Sequence, residues 1–338
     1  VLHIPKVRRE HKVDYIGAIL IVAAVVSILI GLSVLGPENG WTDVKTLGSI
    51  GFGFLIVLLY IAWEKKAVEP ILPLSLFKNQ TFTLTAIIGA IIGAGMFGAI
   101  IMLPLYLQII QGNTATDAGL KLIPLMLGIL SMTIMSGRVI TNTGKYKKFP
   151  IMGTVVMTIG LLLMTTLAVD TPYWQVSIYA IVVGGGLGLT MQTIVIALQN
   201  DIDFKLLGIA TSSNTFFRTL GGAFGTAIFG TILSHDVANN LKSGFAQLAQ
   251  TNPDALAQVD PSLLGSLANN TEKIALLPAV VQNTVLDSFM SAFHSVFIAA
   301  APVVALGFFF AIFLKEKPLQ DSNAHASARQ DATGEALG

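Results

Sequence analysis

The chain has 338 residues, of which 53% are hydrophobic and only 12% are charged, and its formal net charge is +1. Soluble domains carry roughly a quarter charged residues, so this composition indicates a membrane protein. The small net charge gives no reason to expect a nucleic-acid partner, and the lack of cysteine excludes disulfides and thiol catalysis. The five histidines are scattered without metal-ligand spacing, so no metal site is predicted.

Apolar runs long enough to cross a bilayer recur along the chain. A membrane-spanning helix needs roughly 20 such residues. The runs lie at about 14–35, 47–63, 82–110, 118–137, 150–169, 173–198, 208–233 and 290–314. Their separators are rich in Gly, Pro, Asn, Asp and Lys, which is typical of loops. The sequence therefore predicts an all-α polytopic membrane protein with eight transmembrane helices.

Lysine and arginine positions predict the topology, because cytoplasmic loops retain these residues. With the N-terminus inside, 15 of the 20 fall in inner segments and three in outer ones, while Lys121 and Arg218 lie within spans. Both termini are thus expected in the cytoplasm of a cell-membrane protein. The predicted order is an inner loop at 1–13, two helices at 14–66, an inner loop at 67–81, a six-helix bundle at 82–314 with a long extracytoplasmic loop at 235–289, and a solvated tail at 315–338.

Several stretches resemble one transporter group. They are "VDYIGAILI", "MLPLYLQIIQGNTATDAGLKLIPLMLG", "GGGLGLTMQTIVIALQND" and "GIATSSNTFFRTLGGAFGTAIFG". All are similar to segments of the fourteen-span drug:proton antiporters of the major facilitator superfamily, the EmrB/QacA-like group, and the resemblance covers essentially the whole chain. It implies two linker helices followed by the six-helix C-terminal bundle of a secondary exporter.

The resemblance also implies how such a protein works. It implies export of small hydrophobic or cationic compounds across the lipid bilayer by alternating access, driven by a proton gradient and without a cofactor. A six-helix N-terminal bundle, which carries the acidic proton carrier in that group, would be a required partner. The sequence begins without an initiator Met, and its opening segment resembles an inner loop cut in mid-protein. A homodimer is another possible source of a second bundle.

The stretch "GRVITNTGKYKK" is similar to a degenerate copy of the superfamily's inner-loop pattern G-x-x-x-D-R-x-G-R-R. The matching residues are Gly137, Gly144, Lys145 and Lys147. Thr141 and Asn142 occupy the Asp and Arg positions. We therefore expect a tight turn with positive-inside anchoring rather than a charge relay.

Glycines four residues apart predict close helix packing, because small residues let backbones approach in lipid. The pairs are Gly89 with Gly93, Gly184 with Gly188, and Gly221 with Gly225. Static packing is the simpler interpretation. A sliding surface between moving bundles is the functional alternative.

Polar side chains inside spans are the candidates for a substrate pathway: Tyr106, Gln108, Gln192, Asn214 and Arg218. Arg218 lies about ten residues from the inner end of its span, roughly 15 Å at the helical rise. Because an arginine facing lipid costs roughly 2.5 to 3.5 kcal/mol on insertion scales, it should face protein or water. Asn214, Arg218, Gly221 and Gly225 form one helical stripe, and Gln192 is expected beside Arg218 at similar depth. Both a structural anchor and a substrate contact fit Arg218.

Other classes of function are weighed against transport. An intramembrane enzyme would need a nucleophile with its base, or paired acids, at membrane depth, and a channel would need filter-like rings. The sequence shows neither, so no enzyme is predicted. A stand-alone structural or regulatory membrane domain remains open, as does an exporter of a lipid or an endogenous metabolite.

Overall fold

The computed structural model of the protein describes residues 14–67, 70–253, 274 and 277–319. Within these ranges every regular element is helical. The chain divides into two compact units, residues 1–79 and residues 80–338. The predicted inner loop at 1–13 and most of the predicted tail lie outside the described residues.

The first unit is a helical hairpin. Helix α1, Tyr15–Ile30, continues through a π-helical turn, Gly31–Leu35, into the short α2, Gly36–Asn39, and α3, Val44–Glu64, returns beside it. Asp14 caps α1 by accepting a hydrogen bond from the Gly17 amide at 2.9 Å. A 3₁₀ turn, Leu74–Lys78, ends the unit.

Small and hydroxyl residues hold α1 and α3 together. Gly53 packs against Ile28, where a β-carbon would also come within 3.0 Å of the Ala24 carbonyl oxygen. Ser27 and Ser49 donate reciprocally to each other's backbone carbonyls, at 2.8 and 2.7 Å. These contacts pair early residues of one helix with late residues of the other, so the hairpin is antiparallel and tightly packed.

The second unit is a bundle of long helices. They are α4 (Gln80–Ile109), the short α5 (Ala115–Leu120), α6 (Ile123–Thr143), α7 (Lys148–Met164), α8 (Tyr173–Asp201), α9 (Leu207–Thr251) and α10 (Ala279–Ile312). Helix α8 packs between α6 and α7, α4 packs along α9, and α10 contacts α4, α7 and α9. The shared core is apolar and includes fully buried Tyr106, Leu107, Met157 and Phe293.

Seven helical stretches of the described residues are long and apolar enough to span a membrane. The one remaining predicted span, at 150–169, corresponds to α7, which has only 17 residues. It is shorter because the chain leaves the helix after Met164 through turns closed by Thr165 and Thr166, whose hydroxyls bond back to Leu162 and Leu163. A count of eight transmembrane helices therefore stays a prediction.

The connection predicted as a loop at 235–289 is helical at both ends in the structure. Helix α9 runs to Thr251, and α10 begins at Ala279. At 1.5 Å per residue, α9 is about 68 Å long, more than twice the roughly 30 Å hydrocarbon core of a bilayer. Val237, Leu241 and Leu248 are buried in the same core as the start of α10. This apolar stripe inside a polar stretch explains why the helix continues, and residues 254–273 lie outside the described ranges.

The beginning of the predicted solvated tail is held against the bundle. Tyr146, which is fully buried, donates its hydroxyl to the Lys315 carbonyl and accepts from the Lys317 amide, both at 3.1 Å. Asn200 donates to the Pro318 carbonyl at 3.0 Å. The Lys317 ammonium pairs with Asp201, and this hydrogen bond and the carboxylate charge raise the pKa of Lys317. The backbone of residues 315–318 is thus bound to the bundle, although these residues remain exposed to solvent.

Candidate functional site

Two of the predicted glycine pairs face each other where α4 crosses α9. A β-carbon on Gly93 would collide with the Arg218 carbonyl oxygen, and one on Gly221 would collide with the Ala90 carbonyl oxygen. One on Gly225 would lie 2.6 Å from the α-carbon of Ala94. The backbones of α4 and α9 therefore touch directly, with no room for a side chain between them.

Asn214 is buried one helical turn before Arg218, at the end of this contact. Its side chain is 1% exposed, and the position of a β-carbon on Gly89 lies 3.5 Å from its Oδ1. The Ile194 side chain of α8 reaches the same point at 3.8 Å, so α4, α8 and α9 meet here. Within the described residues the Asn214 Nδ2 has no hydrogen-bond partner. An unsatisfied buried donor of this kind costs about 1 to 3 kcal/mol, so the site holds an unused hydrogen-bond donor.

Arg218 adds a cation to the same face of α9. Its residue is partly exposed, and no side chain or carbonyl of the described part of the chain pairs with its guanidinium. Residues four apart on a helix are neighbours, which places the arginine and the unsatisfied amide on one stripe. Five guanidinium donors and one amide donor can together bind carbonyl, hydroxyl or carboxylate oxygens.

Gln192 does not join this stripe. Its residue is exposed on α8, and in the described structure it makes no hydrogen bond to Arg218. Ile194, two residues later, approaches the β-carbon position of Gly89, the same point that Asn214 approaches. Two residues correspond to about 200° around a helix, so Gln192 points to a different face of α8. A contact between Gln192 and Arg218 therefore stays a prediction.

Gln108 lies at the opposite end of α4 from Gly89. It is half-buried and donates to the Pro104 carbonyl at 3.3 Å, one turn earlier. It also lines a cavity of about 590 Å³ together with Gln111, Asn113 and Gln282. Gln108 thus belongs to a separate polar cavity near the end of α4 and not to the stripe on α9.

Tyr106 is part of the packed core. It is fully buried, its hydroxyl donates to the Ala168 carbonyl at 3.1 Å, and its ring meets Phe293 edge-on at 6.1 Å. These contacts tie α4 to α10 and to the connection between α7 and α8. Because its hydroxyl already has a partner and its ring packs against Phe293, the structure gives Tyr106 a packing role, in contrast to the unsatisfied amide of Asn214.

The third glycine pair holds α8 against α6. β-Carbons on Gly184 and Gly188 would collide with the carbonyl oxygens of Leu125 and Ile129. Gly186, on the other side of α8, would bring one within 2.5 Å of the Met157 amide of α7. The run of three glycines at 184–186 therefore lets α8 contact two neighbours at backbone distance.

The predicted inner-loop motif forms the end of α6. Gly144 adopts a left-handed φ of 69° and its amide donates to the Ile140 carbonyl at 2.8 Å, which closes the helix. Lys145 is exposed, Lys147 is partly exposed, and Gly137 has open space around it. Tyr146, which sequence reasoning missed, supplies the contacts to the tail. No signal in the motif distinguished it from its charged neighbours.

Known proteins resemble this chain over most of its length. The family model described as Major Facilitator Superfamily matches residues 13–226. The multidrug transporter protein MdtP of Bacillus subtilis is 32% identical over 94% of this chain and 61% of its own length. A tetracycline resistance determinant of Streptomyces rimosus is 30% identical, over 95% of this chain and 96% of its own length. An uncharacterised MFS-type transporter of Mycobacterium tuberculosis is 31% identical, over 98% of this chain and 47% of its own length.

A solved structure shows the same fold. It is a bacterial homologue of the human lysosomal transporter Spinster, in an inward-facing and occupied conformation, with a TM-score of 0.54 and 12% identity over 91% of this chain and 70% of that one. The chain spans about half to three fifths of the Mycobacterium and Bacillus relatives. Since the family model matches well over half of its residues, the chain belongs to the Major Facilitator Superfamily.

Proposed function

We propose that this chain is part of a proton-coupled multidrug exporter that moves hydrophobic or cationic compounds across the cell membrane by alternating access. The relatives named for multidrug transport and tetracycline resistance support the class of substrate. The observation that carries the proposal is the stripe on α9, where the unpartnered Asn214 amide and the Arg218 guanidinium lie beside a glycine contact between helices.

The chemistry of this stripe narrows the substrate. An arginine repels a bare cation, whereas both side chains donate hydrogen bonds to oxygen acceptors. Hydrophobic molecules with carbonyl or hydroxyl groups therefore fit Asn214 and Arg218 better than purely cationic ones. The substrate would replace the partner that the buried amide lacks, which offsets its desolvation.

Alternating access needs a second wall. In transporters of this kind the substrate site lies between two helical bundles that rock against each other around it. The described helices of residues 80–319 pack around one shared core, and we propose that they form one of these two bundles. We propose that a second six-helix bundle, from the same polypeptide or from a second copy, closes the pathway opposite α9.

The test is dye export by the protein as encoded, in a host without its own efflux pumps. Retention of ethidium, a cation, and of Nile red, a neutral hydrophobic dye, is followed with and without a protonophore. We expect export of Nile red above the vector control, abolished when the proton gradient collapses. Dye retention equal to the control, or export that persists with the protonophore, would contradict the proposal. A structural domain or a lipid exporter would give the first result.

A further inference from the structure

Glu64 is an acidic side chain buried at the end of α3. The residue is only 4% exposed to solvent. The Oε1 atom accepts a hydrogen bond from the Leu72 amide at 2.6 Å, while the Oε2 atom has no partner within the described ranges. A buried carboxylate oxygen without a donor is costly, so the ionised form of Glu64 is incompletely satisfied.

A second carboxyl group lies next to this orphaned oxygen. Asp14 Oδ2 and Glu64 Oε2 both lie within 3.3 Å of the position that a β-carbon on Gly17 would take. Asp14 Oδ1 accepts from the Gly17 amide at 2.9 Å, and the Trp63 indole donates to both Asp14 oxygens at 3.0 and 3.2 Å. Asp14 is therefore held in place by two donors, with its Oδ2 turned toward Glu64.

The surrounding groups do not neutralise the pair. Tyr60, which is 4% exposed and lies one turn earlier on α3, has its neutral hydroxyl close enough to Glu64 to donate to the carboxyl group, but it adds no charge. Tyr15 on α1 and Lys65 and Lys66 after α3 are exposed. In the described part of the unit no lysine or arginine forms an ion pair with either carboxyl group. Among the described residues the two carboxyl groups therefore have no paired cation, and such a pair disfavours simultaneous ionisation, since one shared proton removes the repulsion.

We propose that Asp14 and Glu64 form a proton-binding site in the hairpin of α1 and α3, which holds one proton between Glu64 Oε2 and Asp14 Oδ2. The proton comes from water and returns to it, and no other bond is made or broken. When it is bound, Glu64 Oε2 donates to Asp14 Oδ2, so the one unsatisfied oxygen gains a partner. The site lies in residues 1–79, apart from the pathway proposed on α9, and does not depend on that proposal.

The site is linked to the chain that follows the hairpin. Glu64 Oε1 holds the Leu72 amide, two residues before the 3₁₀ turn Leu74–Lys78, after which the second unit begins. Loss of the shared proton leaves two like charges side by side, and the repulsion acts on the same carboxyl group that holds Leu72. Proton occupancy of the pair therefore controls how firmly this connection is held.

The molecule contains its own reporter of the site. The chain has three tryptophans, Trp41, Trp63 and Trp174, and only the Trp63 indole bonds Asp14 among the described hydrogen bonds. Replacing the other two by Phe leaves Trp63 as the single fluorophore. Its emission is titrated with pH in detergent, without substrate or gradient, so the result is independent of export activity. We expect one transition that fits the uptake of a single proton.

Glu64→Gln is the decisive variant. The amide keeps an acceptor for Leu72 and supplies a permanent donor toward Asp14, so it mimics the protonated state. We expect it to fold, to remove the Trp63 transition and to hold the emission at its low-pH value. Asp43→Asn is the matched control, because Asp43 caps α3 at its other end and its loss should leave the transition unchanged.

Three results would overturn the proposal. The first is a Trp63 transition that persists unchanged in Glu64→Gln. The second is no transition together with equal proton uptake by wild type and Glu64→Gln in a potentiometric titration, which does not depend on the fluorophore. The third is a midpoint that moves when Na⁺ replaces choline at constant ionic strength, since this would assign the pair to a metal cation. If Glu64→Gln does not fold, Asp14→Asn, which retains the cap acceptor, is titrated in its place with the same expectations.

Discussion

Gly221 on α9 lies directly against the backbone of Ala90 on α4, so close that a β-carbon on the glycine would collide with the Ala90 carbonyl oxygen. The neighbouring contacts, Gly93 with Arg218 and Gly225 with Ala94, extend this seam along both helices. Because neither partner in the first contact is a flexible side chain, an added methyl group can be accommodated only if the helices separate.

Gly221→Ala should therefore destabilise the protein by about 1 to 3 kcal/mol, the usual cost of overpacking. The control is Gly230→Ala on the same helix, which has open space around it. There the change should be neutral or stabilising by up to about 1 kcal/mol, since alanine is the better helix former. Thermal unfolding in detergent measures both. Equal shifts for the two variants would show that the seam is not tightly packed.

The sequence predicted the small-residue pairs but not their partners. The four-residue spacing is visible in the sequence for two pairs, Gly89 with Gly93 and Gly221 with Gly225. That the first pair packs against the second depends on how α4 and α9 cross. Likewise, depth along the helix predicts Gln192 beside Arg218, whereas the rotation of α8 turns Ile194 toward Gly89 and leaves Gln192 exposed. Spacing within one helix can be read from the sequence. The rotation of each helix about its axis and the angle at which two helices cross are set by the packing of the whole bundle.

The two acidic residues of the hairpin show the same limit. Asp14 and Glu64 are recognisable in the sequence only as residues at the ends of apolar runs. Their proximity follows from the antiparallel pairing of α1 and α3, and the burial of Glu64 is not indicated by its charged neighbours Lys65 and Lys66. Helix α9 was also predicted too short, because its apolar stripe past Val237 is diluted by polar residues.

Tyr106→Phe should lower stability by about 0.5 to 1.5 kcal/mol, since it removes one buried hydrogen bond to the Ala168 carbonyl and leaves the ring in place. Transport per folded molecule should be unchanged, because the side chain is in the core. Tyr179→Phe is the control: its hydroxyl contacts Thr166 and accepts from the Gln175 amide at 2.8 Å, and its loss should likewise lower stability without changing transport per folded molecule. Lost transport at normal stability would restore Tyr106 to the pathway.

The docking of residues 315–318 depends on Lys317. The raised pKa of Lys317 means that its charged form is favoured in the folded state, so its contribution is complete below the unfolded lysine pKa of about 10.5 and is lost as pH rises through the folded value. Because Lys317 is half-exposed, the pair should contribute only about 0 to 1 kcal/mol.

This can be followed with a fluorescent label on Leu319→Cys, since the chain has no native cysteine. Lys317→Gln should increase the mobility of the label, measured by anisotropy, and the wild-type value should stay constant from neutral pH up to the alkaline range. Lys315→Gln is the control, because only its backbone carbonyl is used by Tyr146. An equal effect of both variants would indicate general charge loss and not the specific pair with Asp201.

The topology proposed for the bundle is tested at two positions. Retained lysine and arginine predict that Lys145 is cytoplasmic and Asn252 extracytoplasmic. Single cysteines at these sites are labelled with a membrane-impermeant reagent in intact cells and in inverted vesicles. We expect Asn252→Cys to react only in cells and Lys145→Cys only in vesicles. Labelling of both from one side would contradict an odd number of crossings between them, and with it the predicted topology of eight helices.

Three helices separate the two labelled positions. Between Lys145 and Asn252 lie α7, α8 and α9, so the two residues face opposite sides if each of these three helices crosses the membrane. If α7, with its 17 residues, does not cross, only two crossings remain and both cysteines react from the same side. Same-side labelling would therefore identify α7 as the helix that fails to span.

Arg218 provides the last test, because its two interpretations predict different outcomes for the same substitution. If it contacts substrate, Arg218→Gln should leave the protein folded and inserted but reduce transport about tenfold or more, since a charged hydrogen bond contributes about 1.5 to 3 kcal/mol. If it anchors helices, the same change should lower thermal stability and abundance in parallel with activity.

Arg218→Lys separates charge from geometry. A lysine retains the positive charge but not the planar fork of donors, so it should partly restore transport where only electrostatics matters and fail where two acceptors are bound together.

Asn214→Ala completes the set: it removes the unpartnered buried amide and should stabilise the empty protein while weakening transport of acceptor-bearing substrates. Transport is expressed per folded molecule, with abundance measured separately. If all three variants leave both stability and transport unchanged, the stripe on α9 takes no part in export.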